Sequence, residues 1–131
     1  MKAKNYVTDT HSLVWYFTES PRLSRRAARI FEKTVKAGAI IIPTVVLAEV
    51  MYITKKGRIT ISFAETMAKI EESENFEIAP LDLEIIKIAD QIEYDLEMHD
   101  RLIAATALFF DVPVITKDEV IKNSGVCEIT W

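Results

Sequence analysis

Ala39-Ile40-Ile41-Ile42-Pro43-Thr44-Val45-Val46-Leu47-Ala48-Glu49 is the stretch whose reading decides the fold. Its first four residues are apolar without alternation, which fits a strand covered on both faces, the habit of a parallel sheet. Gly38 stands before it as the end of a preceding helix. Pro43-Thr44 closes the strand and opens a helix, since proline is tolerated in a first helical turn. That helix runs toward Lys55 and carries Glu49 inside an otherwise apolar run that resumes at Val50-Met51-Tyr52-Ile53.

The same alternation continues in both directions. Tyr6-Val7-Thr8 reads as the first strand, followed by a short helix from His11 to Thr18. Ser20-Pro21 breaks the chain, and Ser24 is a good N-cap for a helix to about Lys36, with Ala28, Ile30, Phe31 and Val35 on its apolar face. Beyond Gly57-Arg58, Thr60 or Ser62 caps a helix across Phe63, Met67 and Ile70. Phe76-Glu77-Ile78 is a third strand. Asp82 starts a helix with Ile85, Ile86, Ile88, Ala89 and Ile92 inward. A helix from Asp100 to Phe110 is apolar nearly all round and should lie deep. Val114-Ile115-Thr116 is the fourth strand, a short helix covers Glu119 to Lys122, and Cys127-Glu128-Ile129 makes a fifth. Strands alternating with helices imply right-handed crossovers and one α/β domain over 1–131, a parallel sheet of four to five strands between helical layers.

Composition narrows the function. The 131 residues suffice for one full core; half are hydrophobic and 27% charged, as in a water-soluble domain. The single cysteine, Cys127, cannot form an internal disulfide, which fits a reducing cytoplasm. The basic opening Met1–Asn5 leads into no uninterrupted apolar segment, so neither a secretory leader nor a membrane span is expected. A net charge of −4 disfavours binding nucleic acid through bulk charge, yet it is compatible with a nuclease whose site must be acidic to hold metal.

Four acids fall at matched places. Asp9 closes the first strand, Asp118 follows the fourth, Asp100 heads an apolar helix, and Glu49 lies about a turn and a half past Pro43. Ligands in open α/β sheets bind beyond the carboxyl ends of the strands, where strand order reverses, so all four can converge. Two like charges about 4 Å apart repel by about 4 kcal/mol at an effective dielectric of about 20. A shared divalent cation removes that conflict. All-oxygen ligands suit Mg²⁺ or Mn²⁺, and the chain has neither the cysteine cluster nor the HExxH pattern of a zinc site. Singly, each acid has a plainer reading: Asp9 and Asp100 as helix caps, Asp118 as a loop residue, Glu49 on a solvated helix face.

The residues Val7-Thr8-Asp9-Thr10-His11-Ser12-Leu13-Val14-Trp15, Ile42-Pro43 through Glu49, His99-Asp100-Arg101-Leu102-Ile103-Ala104-Ala105 and Val114-Ile115-Thr116-Lys117-Asp118 make the chain similar, nearly end to end, to PIN-domain proteins. It resembles in particular the VapC-type ribonuclease toxins of toxin–antitoxin pairs. The resemblance implies a three-layer α/β/α fold, usually a homodimer, with Asp9, Glu49, Asp100 and Asp118 as the acidic metal site and Thr116 supporting it. It further implies Mg²⁺- or Mn²⁺-dependent endonucleolytic cleavage of RNA. A small antitoxin would restrain it, with a C-terminal segment in the acidic groove. Where many relatives have Asp-Pro before the position of Asp100, this chain has Glu97-Met98.

Arg101, Arg25 and Arg29 are candidate RNA contacts. The latter two share a basic helix with Arg22, Arg26, Lys33 and Lys36, which reads slightly better as a solvated face than as a phosphate track. Trp15-Tyr16-Phe17 offers base-stacking rings or core. A phospho-acceptor receiver domain would need adjacent acids after strand one, and Asp9-Thr10 does not supply them. No GxGxxG, Walker or GxSxG motif is present. The rival of a different class is a catalytically inactive PIN-like module used for RNA binding or as a protein scaffold.

Overall fold

β2 (Ile40–Pro43) is buried at all four positions and hydrogen-bonded to a strand on each side, as its unbroken apolar run predicts. The computed structural model describes residues 4–131; Met1, Lys2 and Ala3 of the basic opening lie outside them. On one side β1 (Tyr6–Thr8) runs parallel to β2 with Tyr6 opposite Ile40, and on the other β3 (Phe76–Ala79) pairs from Phe76 opposite Ile40 to Ala79 opposite Pro43. β4 (Val114–Ile115) lies on the free side of β1 and β5 (Ile129–Thr130) beyond it, both parallel. The five-stranded order is therefore β3-β2-β1-β4-β5. The chain winds outward from β1 to β3, then returns to the other side of β1. Strand order thus reverses between β1 and β4, which fixes the place of the ligand crevice.

Among the described residues seven helices flank this sheet: α1 (Thr10–Phe17), α2 (Arg25–Ala37), α3 (Thr44–Lys55), α4 (Phe63–Glu72), α5 (Leu83–Gln91), α6 (Met98–Phe110) and α7 (Glu119–Ser124). The result is the three-layer α/β/α arrangement. Local chemistry sets the boundaries. Ser24 Oγ accepts from the Ala27 amide to start α2, Ser62 and Glu65 form a reciprocal capping box on α4, and Asp82 caps α5 through the Ile85 amide. One core cluster joins β1 and β2 to α1–α4 and part of α6; a second gathers Ile85, Ala89, Ile92, Leu96, Ala104, Ala105 and Ile121. Fully buried Phe31 stacks on Tyr16 at 4.5 Å between ring centroids, and Phe17 meets Phe76 edge-on at 5.4 Å. Of the aromatic trio after Asp9, half-buried Tyr16 and Phe17 pack against the core, while half-buried Trp15 meets Trp131 at 6.0 Å between ring centroids. No helix among the described residues is long and apolar enough to cross a membrane.

Three expectations need correction. The fifth strand is Ile129–Thr130 rather than Cys127–Ile129, because the β4 ladder takes Val114 N–H to Glu128 O and Thr116 N–H to Thr130 O. Half-buried Cys127 lies just outside it. α5 turns Ile86 outward at 47% exposure, since Ile85, Ala89 and Ile92 already form the helical stripe and the next residue points about 100° away. α6 is deep only over Ile103–Ala107; its last turn exposes Leu108, Phe109 and Phe110. Thirteen helical residues span about 20 Å, whereas the two residues of neighbouring β4 cover only about 7 Å. The helix overruns the sheet that would bury it.

Candidate active site

The crevice between the ends of β1 and β4 is built around one buried hydroxyl. Asp9, the residue after β1, is the N-cap of α1: its Oδ1 accepts from the Ser12 amide at 2.9 Å. Its Oδ2 accepts from Thr116 Oγ1, which has no solvent exposure. The same Thr116 oxygen accepts the Asp118 amide at 3.0 Å, and Asp118 Oδ1 caps α7 through the Ile121 amide at 2.9 Å. Ser12 Oγ donates to the Ile115 carbonyl at 3.2 Å, tying α1 to β4. Thr116 therefore couples the two acids at the switch point, one through its carboxylate and the other through its backbone.

Glu49 approaches from α3. Its Oε1 accepts from Thr10 Oγ1 at 2.5 Å, and Thr10 is buried directly after Asp9. Asp100 approaches from α6, in the first turn rather than at the cap. The cap is Glu97, whose Oε1 accepts the Asp100 amide at 3.1 Å. Of the plainer readings, Asp9 does cap a helix and Asp100 does not, while Asp118, read as a loop residue, also caps one; Asp9 and Asp118 each still have carboxylate capacity to spare.

Burial and neighbouring charge both act on the acids. Burial first, then the charges of Asp118, Glu97, Glu49 and Asp9, push the Asp100 carboxyl up to about 6. Asp9 is also raised, mainly by burial, against the lowering effect of its Ser12 and Thr116 hydrogen bonds and of nearby His11. As the side chains stand, no group of three or more His, Cys, Asp or Glu among the described residues is drawn together tightly enough to hold a metal ion. That is the arrangement expected of like charges tethered by their own hydrogen-bond donors. The donor set is all oxygen, and burial first and then the neighbouring carboxylates disfavour the charged form of Asp100. Both properties fit a hard divalent cation such as Mg²⁺ or Mn²⁺ and not a soft one.

The family model of the PIN domain matches residues 6–125. The chain belongs to the PIN-domain family. Among solved structures, this PIN domain is similar to VapBC2 from Rickettsia felis bound to a DNA fragment from its promoter, with 18% identity, a TM-score of 0.72 and 96% of this chain covering 97% of that one. It is similar also to DNA-bound VapBC from Salmonella typhimurium, with 16% identity, TM-score 0.72 and 97% of each chain covered. FitAcB from Neisseria gonorrhoeae matches with 18% identity, TM-score 0.69 and 96% of each chain. No curated protein sequence matches.

The other candidates fall elsewhere on the PIN domain. Arg25 and Arg29 are exposed on α2, with no ion pair among the described residues. Arg101, expected to face RNA, is instead engaged with backbone carbonyls of α5 and the turn after it. His99 lies 3.4 Å from Glu97, and His11 sits against the Trp15 ring. A groove of about 890 Å³ opens away from the acids, lined by Trp15, Phe17, Leu23, Val35, Lys69 and Phe76 among others. Its rings alternate with Glu19, Glu32, Lys69 and Glu72, and none of Asp9, Glu49, Asp100 and Asp118 lines it.

Two polar residues near the acids escaped the sequence reading. Thr10 holds Glu49, and Ser12 serves Asp9 through its amide and β4 through its hydroxyl. A hydroxyl beside an acid after a strand carries no signal by itself; only the fold reveals that Thr10 faces Glu49 across a separation of 39 residues.

Proposed function

We propose that this PIN domain is a divalent-metal-dependent endoribonuclease and the toxin of a toxin–antitoxin pair. The observation that carries the reading is the hydrogen-bonded junction at the reversal point of a PIN fold, where Thr116 joins Asp9 to Asp118 and Thr10 holds Glu49. Asp9, Glu49, Asp100 and Asp118 are the proposed ligands of Mg²⁺ or Mn²⁺. When bound, such an ion supplies Lewis acidity and an activated water for phosphodiester hydrolysis. The protein's own part is to hold the oxygens ready. Thr116 and Ser12 fix the Asp9 carboxylate, Thr10 fixes one oxygen of Glu49, and Glu97 fixes the turn that bears Asp100. Arg25 and Arg29 are free to meet RNA phosphates.

The partner follows from the relatives. A further solved structure of similar fold is a toxin–antitoxin complex from Klebsiella pneumoniae, and an antitoxin placing a cation among the carboxylates would neutralise the same repulsion that a metal does. Homodimerisation and a cytoplasmic location belong to the same reading. The competing reading, a PIN fold kept for binding alone, draws on the openness of the acids.

Cleavage of a pool of structured RNAs, tRNA included, separates the two. The wild-type protein freed of antitoxin should cut only with Mg²⁺ or Mn²⁺. Asp100→Asn should lose more activity than the roughly 10–100-fold typical of an outer-shell change. Equal traces of cutting in both would mean contamination, and no cutting by free wild type would favour the binding module.

A further inference from the structure

Arg101 follows Asp100 immediately, yet its side chain does not join the acids. Successive helical residues point about 100° apart, so Arg101 is carried round α6 toward α5. There Nη1 donates to the carbonyl oxygens of Ala89 at 3.0 Å and Ile92 at 2.7 Å, and Nη2 donates to that of Tyr94 at 3.0 Å. These carbonyls lie at the last turn and exit of α5. A helix C-terminus leaves carbonyls without helical donors and presents the negative end of its dipole, so a cation is doubly suited to the place. One planar guanidinium can serve three acceptors at once, whereas an ammonium carries the charge without the fork. No ion pair within 4.0 Å joins Arg101 to an acid among the described residues.

The other end of the same segment is fastened too. Glu97 takes the Asp100 amide on its carboxylate at 3.1 Å and the Arg101 amide on its carbonyl at 2.9 Å. The segment from Ile92 to Glu97 is thereby clamped against α6 at both ends, and Asp100 sits between the clamps. We infer that Arg101 is a positioning residue for Asp100: by pinning the exit of α5 to α6, it fixes the helical turn that presents this carboxylate to Asp9, Glu49 and Asp118. The inference rests on the metal-site reading above. It also replaces the sequence expectation of an RNA contact at Arg101.

The test compares wild type, Arg101→Lys, Arg101→Met and Asp100→Asn. Three readouts serve: Mn²⁺ titration by calorimetry, amide exchange at residues 100 and 101, and steady-state RNA cleavage. Arg101→Lys keeps the charge but loses the three-way fork. It should weaken Mn²⁺ binding at least about tenfold, the size expected of an outer-shell partner. Its amides at 100 and 101 should exchange faster, and kcat should fall while KM and its salt dependence stay put. Arg101→Met should do the same or more; if it does not fold, the lysine variant carries the test. Wild-type Mn²⁺ affinity and kcat in Arg101→Lys, with KM raised and newly salt-sensitive, would overturn positioning in favour of a phosphate contact. Wild type binding Mn²⁺ no better than Asp100→Asn would instead sink the metal-site reading. Exchange then decides the clamp alone: unchanged rates in Arg101→Lys overturn it, and faster rates uphold it.

Discussion

At Asp100 the sign of the charge effect can be worked out. Burial first and then the neighbouring acids push the folded-state carboxyl up to about 6 from the ordinary carboxylate range, so between the two the native protein binds more protons than the unfolded chain. Stability then falls as pH rises through that window, and the penalty is complete above it. Asp100→Asn removes the charge. In metal-free buffer it should melt higher than wild type near pH 7, and the two should converge below about pH 4, where both are neutral. Thermal scans across that range check this; a mutant no more stable at neutral pH would mean that neither burial nor the neighbouring acids penalise the Asp100 charge. Mn²⁺ affinity in the wild type should rise with pH through the same interval, because the ion displaces that proton. Thr116 makes the complementary case. Thr116→Val keeps the shape but strips a donor from buried Asp9 and an acceptor from the Asp118 amide. It should cost about 1–3 kcal/mol in denaturant unfolding and weaken Mn²⁺ binding by about 10–100-fold. The acids were legible because charged side chains among apolar runs demand a reason. Thr10 and Ser12 were not, because their partners are set by tertiary approach.

Among the elements, the helix starts were the most legible part, since Ser24, Ser62 and Asp82 act through bonds three residues away. α6 ends at Phe110 as expected, but its start and its depth were misread. Glu97 caps it where Asp100 looked the better cap, and its apolar last turn outruns the sheet. Gly38 shows the same division. The sequence marks it as a helix stop, but its φ of −134° is open to any residue. The constraint is space, because a Cβ there would stand 2.1 Å from the Lys4 carbonyl oxygen at the entrance to the central strands. Gly38→Ala should therefore destabilise by about 1–3 kcal/mol, the cost of overpacking, despite alanine's better helix propensity. Equilibrium unfolding in urea measures it, and a neutral or stabilised variant would show that the β1 edge can shift to make room.

For the whole molecule, topology was readable because strand–helix alternation leaves few right-handed solutions. The strand order then placed Asp9 beside Thr116 and Asp118 without further information. Surfaces were less readable, since an apolar residue in an amphipathic run looks the same whether the core or a second chain covers it. From β3 into α5 the molecule exposes Ile78, Leu81, Leu83 and Ile86, with Leu83 at 63%. β3 is also an edge strand, which natural proteins rarely leave beside apolar side chains without cover. The proposed homodimer supplies that cover, provided the two copies together bury about 1,200–2,000 Å². Leu83→Glu combined with Ile86→Glu places four carboxylates in such an interface and none in the core. Sedimentation equilibrium should show the wild type as a dimer at micromolar concentrations and the double variant as a folded monomer with unchanged circular dichroism. A wild type that stays monomeric would remove the dimer from the proposal, and a double variant that still dimerises would move the interface to another face.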